Sequence, residues 1–410
     1  MITLKNLMVY KNGFLRKLNV GIENGRIQFV EQRSEGEVVD CDGLIALPGL
    51  IDMHVHFREP GLEWKEDWRS GSKAAVHGGI TYVADMPNTK PPVIYKEILE
   101  KKVEIAKSKS LVNFGLYGAI TNENVKSFSE MDEGVIGYKI FLAASTGNLL
   151  LDEKYLAEAI SSSEKPVMIH PESQKIVEKY LARPIDAEIE AVKKVVSLQG
   201  IIKTRVHLCH ITSFTAASIV LEQRETNKLT FETCPHYLFL NDRFRKENGG
   251  FGKVNPPLRS EEERKGLFNL VVKGKIDVLS SDHAPHTVEE KKSSSPHSGI
   301  PGVETTVYLM LNLVKQKLID FGTLVRMMNE IPREILGLNN YGEIIVGNKA
   351  NMTIVDLNRR WIITKKFLQT KCGWSPYEGM EGYGMPVYTI VNGKIFDSQK
   401  VEVVYDESEG

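Results

Sequence analysis

Eight short apolar runs, separated by longer amphipathic stretches, constrain this chain more than any other feature. The runs are 50–56, 80–86, 112–119, 135–141, 166–170, 204–210, 229–234 and 276–282. Between them lie segments with helical spacing, among them 64–77, 94–108, 186–198 and 261–272. Strand-like runs alternating with helix-like stretches give parallel sheets, because a parallel connection needs a crossover long enough to hold a helix. Several runs are apolar on both faces, as strands are when helices cover one side and packed side chains fill the other. Eight such units predict an α/β fold, a (β/α)8 TIM-type barrel.

The ends of the chain have a different texture. Residues 1–47 are short β-like runs broken by Lys11-Asn12-Gly13, Glu23-Asn24-Gly25 and Asp42-Gly43, and β texture returns after about residue 345. The expectation is three segments: 1–47 and 346–410 form a small flanking β-sandwich built from both termini, and 48–345 forms the barrel. Glu289–Gly299, rich in Glu, Lys and Ser, is the expected lid.

With 42% hydrophobic and 26% charged residues and a formal net charge of -1, the composition gives no basis for a nucleic-acid partner. No apolar run approaches the roughly 20 residues of a membrane span, and no signal-peptide pattern opens the chain. Four scattered cysteines contain no CxxC pair. These features predict a reduced, cytoplasmic compartment.

In a barrel of this kind the chemistry sits at the C-terminal ends of the strands. Here those ends are polar: His54 and His56 in the first run, Lys139 in the fourth, His170 in the fifth, His210 in the sixth and Asp282 in the eighth. Residues two apart on a strand share a face, so His54 and His56 point the same way. Imidazoles and a carboxylate are suitable ligands for zinc or a similar divalent ion. A lone HxH is weak evidence, but agreement among separate strand ends makes the metal site the expected one. Lys139, flanked by Tyr138, Ile140 and Phe141, is costly to bury unless it is paired with a carboxylate or loses its charge, for instance by reaction with CO2 to give a carbamate. His207 and Cys209 are expected to alternate away from His210, with Cys209 in core packing, and Trp64 and Trp68 to pack at helical spacing. Glu232 and His236 fit supporting roles.

The motifs Asp52-Met-His-Val-His-Phe-Arg-Glu-Pro-Gly61, Ala84-Asp-Met-Pro-Asn-Thr89 and Ser281-Asp-His-Ala-Pro-His286 resemble the signatures of the dihydroorotase family, in the amidohydrolase superfamily. Glu232–Leu238, Asn255–Leu258 and Gly299–Thr305 fit the same family, so the resemblance runs along nearly the whole chain. It implies a two-metal centre, most simply two Zn2+, with His54 and His56 on the more buried ion and Asp282 completing that site. His170 and His210 would hold the second ion, and N6-carboxylated Lys139 would bridge the two. Some family members use an aspartate in place of the modified lysine, and Asp152 lies beyond the Lys139 strand. The resemblance also implies metal-dependent, reversible cyclisation of N-carbamoyl-L-aspartate to L-dihydroorotate in pyrimidine biosynthesis. Asp282 would be the catalytic acid–base group. A homodimer and association with aspartate transcarbamoylase are the partners it suggests.

Beside the ligands stand residues suited to a substrate carboxylate. Arg58 offers a planar guanidinium two residues past the HxH, Asn88 an amide donor, and His286 an approach from the lid, while Asn255 could touch the ring amide.

Overall fold

The computed structural model describes residues 1–144 and 149–407, so the last three residues of the expected 346–410 segment lie outside the described residues. All eight apolar runs become neighbouring parallel strands of one sheet: Leu50–Val55, Ile80–Asp85, Asn113–Ile120, Gly137–Phe141, Val167–His170, Val206–Leu208, Leu229–Thr233 and Val278–Leu279. The ring closes just past the eighth strand, where Val55 bridges His283 in parallel and the His56 amide donates to the His283 carbonyl (2.8 Å). The protein is therefore a (β/α)8 barrel with its polar strand ends gathered on one rim.

Helices pack outside the strands where the apolar spacing places them. The helix Trp68–His77 begins at Asp67, whose carboxylate accepts from the Ser70 amide while the Ser70 hydroxyl accepts from the Asp67 amide. That reciprocal cap satisfies amides that would otherwise be orphaned, and it sets the helix start four residues later than the expected 64. Trp64 therefore falls outside the helix and stays exposed, whereas Trp68 is fully buried against Phe57. The helix Glu261–Val272 keeps its expected bounds, with Ser260 capping it and three glutamates in its positive first turn.

The two termini build a single nine-stranded mixed sheet. Its N-terminal strands include Ile2–Lys11, Phe14–Glu23 and Ile45–Pro48, and its C-terminal strands include Met352–Ile362 and Glu381–Val391. The two halves meet where Ile45–Pro48 pairs antiparallel with Met352–Val355. The sheet has its own apolar core, including Leu4, Val20, Ile22, Ile354 and Ile390. Only Gly49 separates the sheet strand Ile45–Pro48 from the first barrel strand, which anchors the flanking sheet to the barrel frame.

Candidate metal centre

The strand ends converge on one cavity lined by His54, His56, Arg58, Asn88, Lys139, His170, His210, Asn255 and Asp282, together with Phe141, Val254, Ala284, Ser298 and Gly299. Nine of the ten residues singled out from the sequence are in that lining, and the tenth, His286, lies directly behind Arg58.

Local backbone irregularities aim these side chains. The pairing of the first two barrel strands slips between Asp52 and Val55, a bulge that turns the segment carrying His54 and His56 toward Asp282. Arg58, His210 and Asp282 all adopt left-handed backbone angles (φ of 65°, 38° and 45°). Non-glycine residues rarely adopt such angles, and when they do it is commonly at functional sites. At His210 the turn also breaks strand alternation. Cys209 therefore points inward, its Sγ 2.9 Å from Lys139 Nζ, and His207 faces Glu232 instead of packing under a helix. The expectation that both alternate away from the site fails because the regular strand ends at Leu208.

The hydrogen bonds show what this centre is built to hold. His54 Nδ1 donates to Glu232 Oε1 (2.5 Å) and His56 Nδ1 donates to Asn88 Oδ1 (2.6 Å). With those protons committed, the Nε2 atoms of both rings face the same oxygen, Asp282 Oδ1, at 3.3 and 3.0 Å; burial and Lys139 oppose a charge on His54, but Glu232 and Asp282 raise it to about 10. Burial, with Arg58 and His54 adding to it, pulls His56 down to about 4 and keeps it neutral. The neutral His56 turns a lone pair toward that carboxylate, and His54 and Glu232 stand beside it, an N/O donor cluster of the kind that binds a divalent cation. The second pair repeats the pattern: His170 Nε2 donates to Glu172 Oε2 (2.8 Å), leaving Nδ1 facing His210 Nε2 at 2.9 Å. The buried His210 Nδ1 has no partner among the described residues. The donor set therefore fits divalent cations.

Lys139 is 0% exposed, its Nζ touches the Cys209 thiol, and no described carboxylate pairs with it. A buried ammonium without a counter-ion is unfavourable, whereas a carbamate between metal ions is not. Asp152 lies outside the lining, paired instead with Lys154 at 3.3 Å.

Supporting groups that the sequence reading missed stand behind the ligands. Glu172 is clamped by Arg183, whose Nε and Nη2 donate to Oε2 at 2.9 and 2.5 Å. Burial would raise the Glu172 carboxyl, but His170 and Arg183 outweigh it and hold it at about 2. Glu172 follows His170 by two residues, a same-face spacing that could have flagged it.

Arg58 is 2% exposed and lines the cavity beside His56 and Asp282. Its guanidinium donates to the Pro285 carbonyl (3.2 Å) and to His286 Nε2 (3.2 Å), and no described carboxylate pairs with it. Burial lowers it only to about 10, so it remains a cation at neutral pH. Lys65 approaches the other His286 nitrogen (3.2 Å), and burial together with the Arg58 and Lys65 charges keeps that imidazole neutral. The cavity thus presents a buried cation with no carboxylate paired to it among the described residues, an arrangement chemically suited to an anion.

Residues 45–396 match the amidohydrolase family. A dihydroorotase from Pyrococcus furiosus is 39% identical, covering 92% of this chain and 88% of its own. One from Methanosarcina acetivorans is 36% identical, covering 96% of this chain and 91% of its own. The chain belongs to the amidohydrolase family, among the dihydroorotases. Among solved structures, an L-hydantoinase (dihydropyrimidinase) from Arthrobacter aurescens superposes with a TM-score of 0.93 at 25% identity, covering 99% of this chain and 97% of its own. A dihydropyrimidinase from Brevibacillus agri superposes with a TM-score of 0.87 at 22% identity, covering 98% and 96%, a likeness of fold. Membership of the dihydroorotase family thus rests on sequence relatives, while the barrel frame is shared more widely among cyclic amidohydrolases.

Proposed function

We propose that this chain is a metal-dependent dihydroorotase that interconverts N-carbamoyl-L-aspartate and L-dihydroorotate, with the barrel spanning 48–345 and the flanking sheet drawn from 1–47 and 346–410. The observation that carries the substrate choice is Arg58: a buried, charged guanidinium with no carboxylate partner, facing the cavity. A ring carboxylate on the substrate supplies that partner. Uncharged hydantoins and dihydropyrimidines do not.

His54, His56 and Asp282 would hold one Zn2+, and His170 and His210 a second, with carboxylated Lys139 between them. Divalent ions held there would supply Lewis-acid polarisation of the ring carbonyl and a water of lowered pKa. The chain's own residues do the rest. Arg58 pairs with the carboxylate, with Asn88 beside it and His286 holding the guanidinium from behind. Asn255 holds the ring amide. In ring opening, Asp282 takes the proton of the attacking water and delivers it to the departing ring nitrogen, serving as base and then as acid. In ring closure a carboxylate becomes a neutral amide, so closure consumes a proton and is favoured at lower pH.

Four cysteines, all buried and unpaired, accord with a reducing compartment, and we place the protein in the cytoplasm. By family resemblance it forms a homodimer and has aspartate transcarbamoylase as a candidate partner, which light scattering with and without that enzyme tests.

The deciding experiment is ultraviolet-monitored ring opening of L-dihydroorotate, with dihydrouracil, hydantoin and allantoin in parallel and metal measured on the same sample. The expected result is selective turnover of dihydroorotate by protein carrying zinc. The L-hydantoinase fold likeness makes the neutral substrates the rival, and a metal-loaded protein that prefers them overturns the assignment. Intact-mass measurement under non-denaturing conditions tests the carbamate on Lys139.

A further inference from the structure

The cavity beneath the lid has a volume of about 30 Å³, on the order of two waters. A substrate of dihydroorotate's size exceeds that space, so the lining must give way to seat it. Two loop segments of the lining come from outside the barrel strands. One is the segment Val254–Asn255; the other is Ser298–Gly299, at the end of the expected lid. A single side chain ties them together. Lys291, in the short helix Val288–Lys292, is 1% exposed, and its Nζ donates to the carbonyls of Lys253 (2.9 Å), His297 (2.9 Å) and Gly299 (2.8 Å).

An ammonium has three N–H donors, and here each finds one carbonyl. One carbonyl precedes Val254–Asn255, and the other two bracket Ser298. The Gly299 amide adds a direct link to the Lys253 carbonyl (3.0 Å). Trp374 closes the cage from behind: its ring lies 5.5 Å from Nζ and its Nε1 donates to the His286 carbonyl (2.7 Å). Gly250 packs directly on the helix, since a Cβ there would sit 1.9 Å from the Lys291 carbonyl oxygen. No described carboxylate pairs with Lys291, and burial lowers it to about 7, so the three carbonyl dipoles are what favours its three-donor ammonium form. A surface-facing lysine would have served solubility; a buried one with all donors on loop backbone serves geometry.

We propose that Lys291 is the latch of the active-site roof, a positioning residue that holds the Asn255 segment and the Ser298–Gly299 segment closed over the substrate. Its kinetic consequence rests on the substrate reading above; its structural consequence does not. Removing the latch opens the roof, weakens the grip on substrate and leaves the metal ligands where they are.

The test uses the metal-loaded enzyme with Lys291→Met, which approximates the apolar stem but donates nothing, and Lys291→Gln, whose amide has two donors. Hydrogen exchange without substrate should speed up by about tenfold or more at 253–255 and 297–299 in K291M, with the barrel strands unchanged and K291Q in between. With dihydroorotate, KM should rise about tenfold while kcat stays within about threefold and zinc content is retained. Unchanged exchange in those two segments overturns the latch, and so does a uniform acceleration across the barrel or loss of zinc. If K291M does not fold, the same comparison is made on K291Q alone. Should the parent fail to turn over dihydroorotate, the substrate assignment falls, and the exchange comparison still decides the latch.

Discussion

Replacing Arg58 with Met tests the substrate assignment and the electrostatic argument behind it together. The guanidinium is buried, and its polar contacts are one carbonyl and one neutral imidazole. Methionine approximates the apolar stem and removes the charge. In the complex, a buried carboxylate then loses its counter-ion, a change that costs about 3–5 kcal/mol where one partner of a buried pair is deleted. At about 1.4 kcal/mol per factor of ten, kcat/KM for dihydroorotate should fall by at least about a hundredfold. In the free protein the sign reverses. Arg58 has no described carboxylate partner, so its removal relieves an unfavourable burial and should raise unfolding stability by about 1–2 kcal/mol. Denaturant unfolding and ring-opening kinetics on the same preparation, with zinc content as control, read both effects. Turnover of dihydrouracil, if measurable, should be almost unaffected. A variant that retains kcat/KM within about tenfold of the parent, or that loses zinc, refutes the role assigned to Arg58.

Three further substitutions probe what supports the site. Glu232→Gln weakens the hold on His54 Nδ1 and should reduce metal affinity about 10–100-fold in chelator competition, with the fold intact by circular dichroism. Lys102 and Asp85 form a fully buried pair (2.5 Å), and Asp85 also accepts from the Phe57 amide (2.6 Å), next to Arg58. Lys102→Met should therefore cost about 3–5 kcal/mol in urea unfolding, and Lys102→Met with Asp85→Asn should recover part of it. Burial pushes the Cys41 and Cys372 thiols from 9.0 up to about 12. The folded state then holds those protons more tightly than the unfolded chain. Stability is full below pH 9 and falls as pH rises through the window from 9 to 12, by about 1.4 kcal/mol per pH unit per thiol at most. The Cys41→Ala and Cys372→Ala pair should flatten that part of the pH–stability curve, and an unchanged slope would contradict the assignment.

Much of this molecule was legible in the chain because barrels are built from repeats of one local pattern. The eight runs were visible as apolar segments at strand length, and each became a strand. Their ends were less legible. The run 276–282 yields only a two-residue regular strand, Val278–Leu279, since the chain leaves the ladder and turns left-handed at Asp282 to reach the site. The same departure at His210 defeated the alternation rule for Cys209 and His207. The residues expected as ligands could be read because each falls in or just past a barrel strand, where position along the chain predicts position in space. Arg183 and Lys291 could not, since each comes from a segment outside the barrel strands and finds its partner across a gap in sequence: Glu172 for the first, the carbonyls of Lys253, His297 and Gly299 for the second.

That division bears on specificity. The metal-facing groups come from strand ends, which the barrel ladder holds rigidly, and a hydantoinase superposes on this frame with a TM-score of 0.93. Fold likeness therefore cannot choose the substrate. The groups that could choose it come from the loops above the strands: Arg58 after the first, Asn88 after the second, Asn255 between the seventh and eighth, and His286 after the eighth. Loops can be exchanged with little disturbance to a ladder, so one metal frame can serve several cyclic amides while the charge on its rim changes. A buried cation without a protein partner destabilises the free protein, and strand-end chemistry gives no reason to retain one. An anion on the substrate, as proposed above, would give that reason, because Arg58 is already desolvated in the free protein and its attraction would be exerted in a poorly screened site.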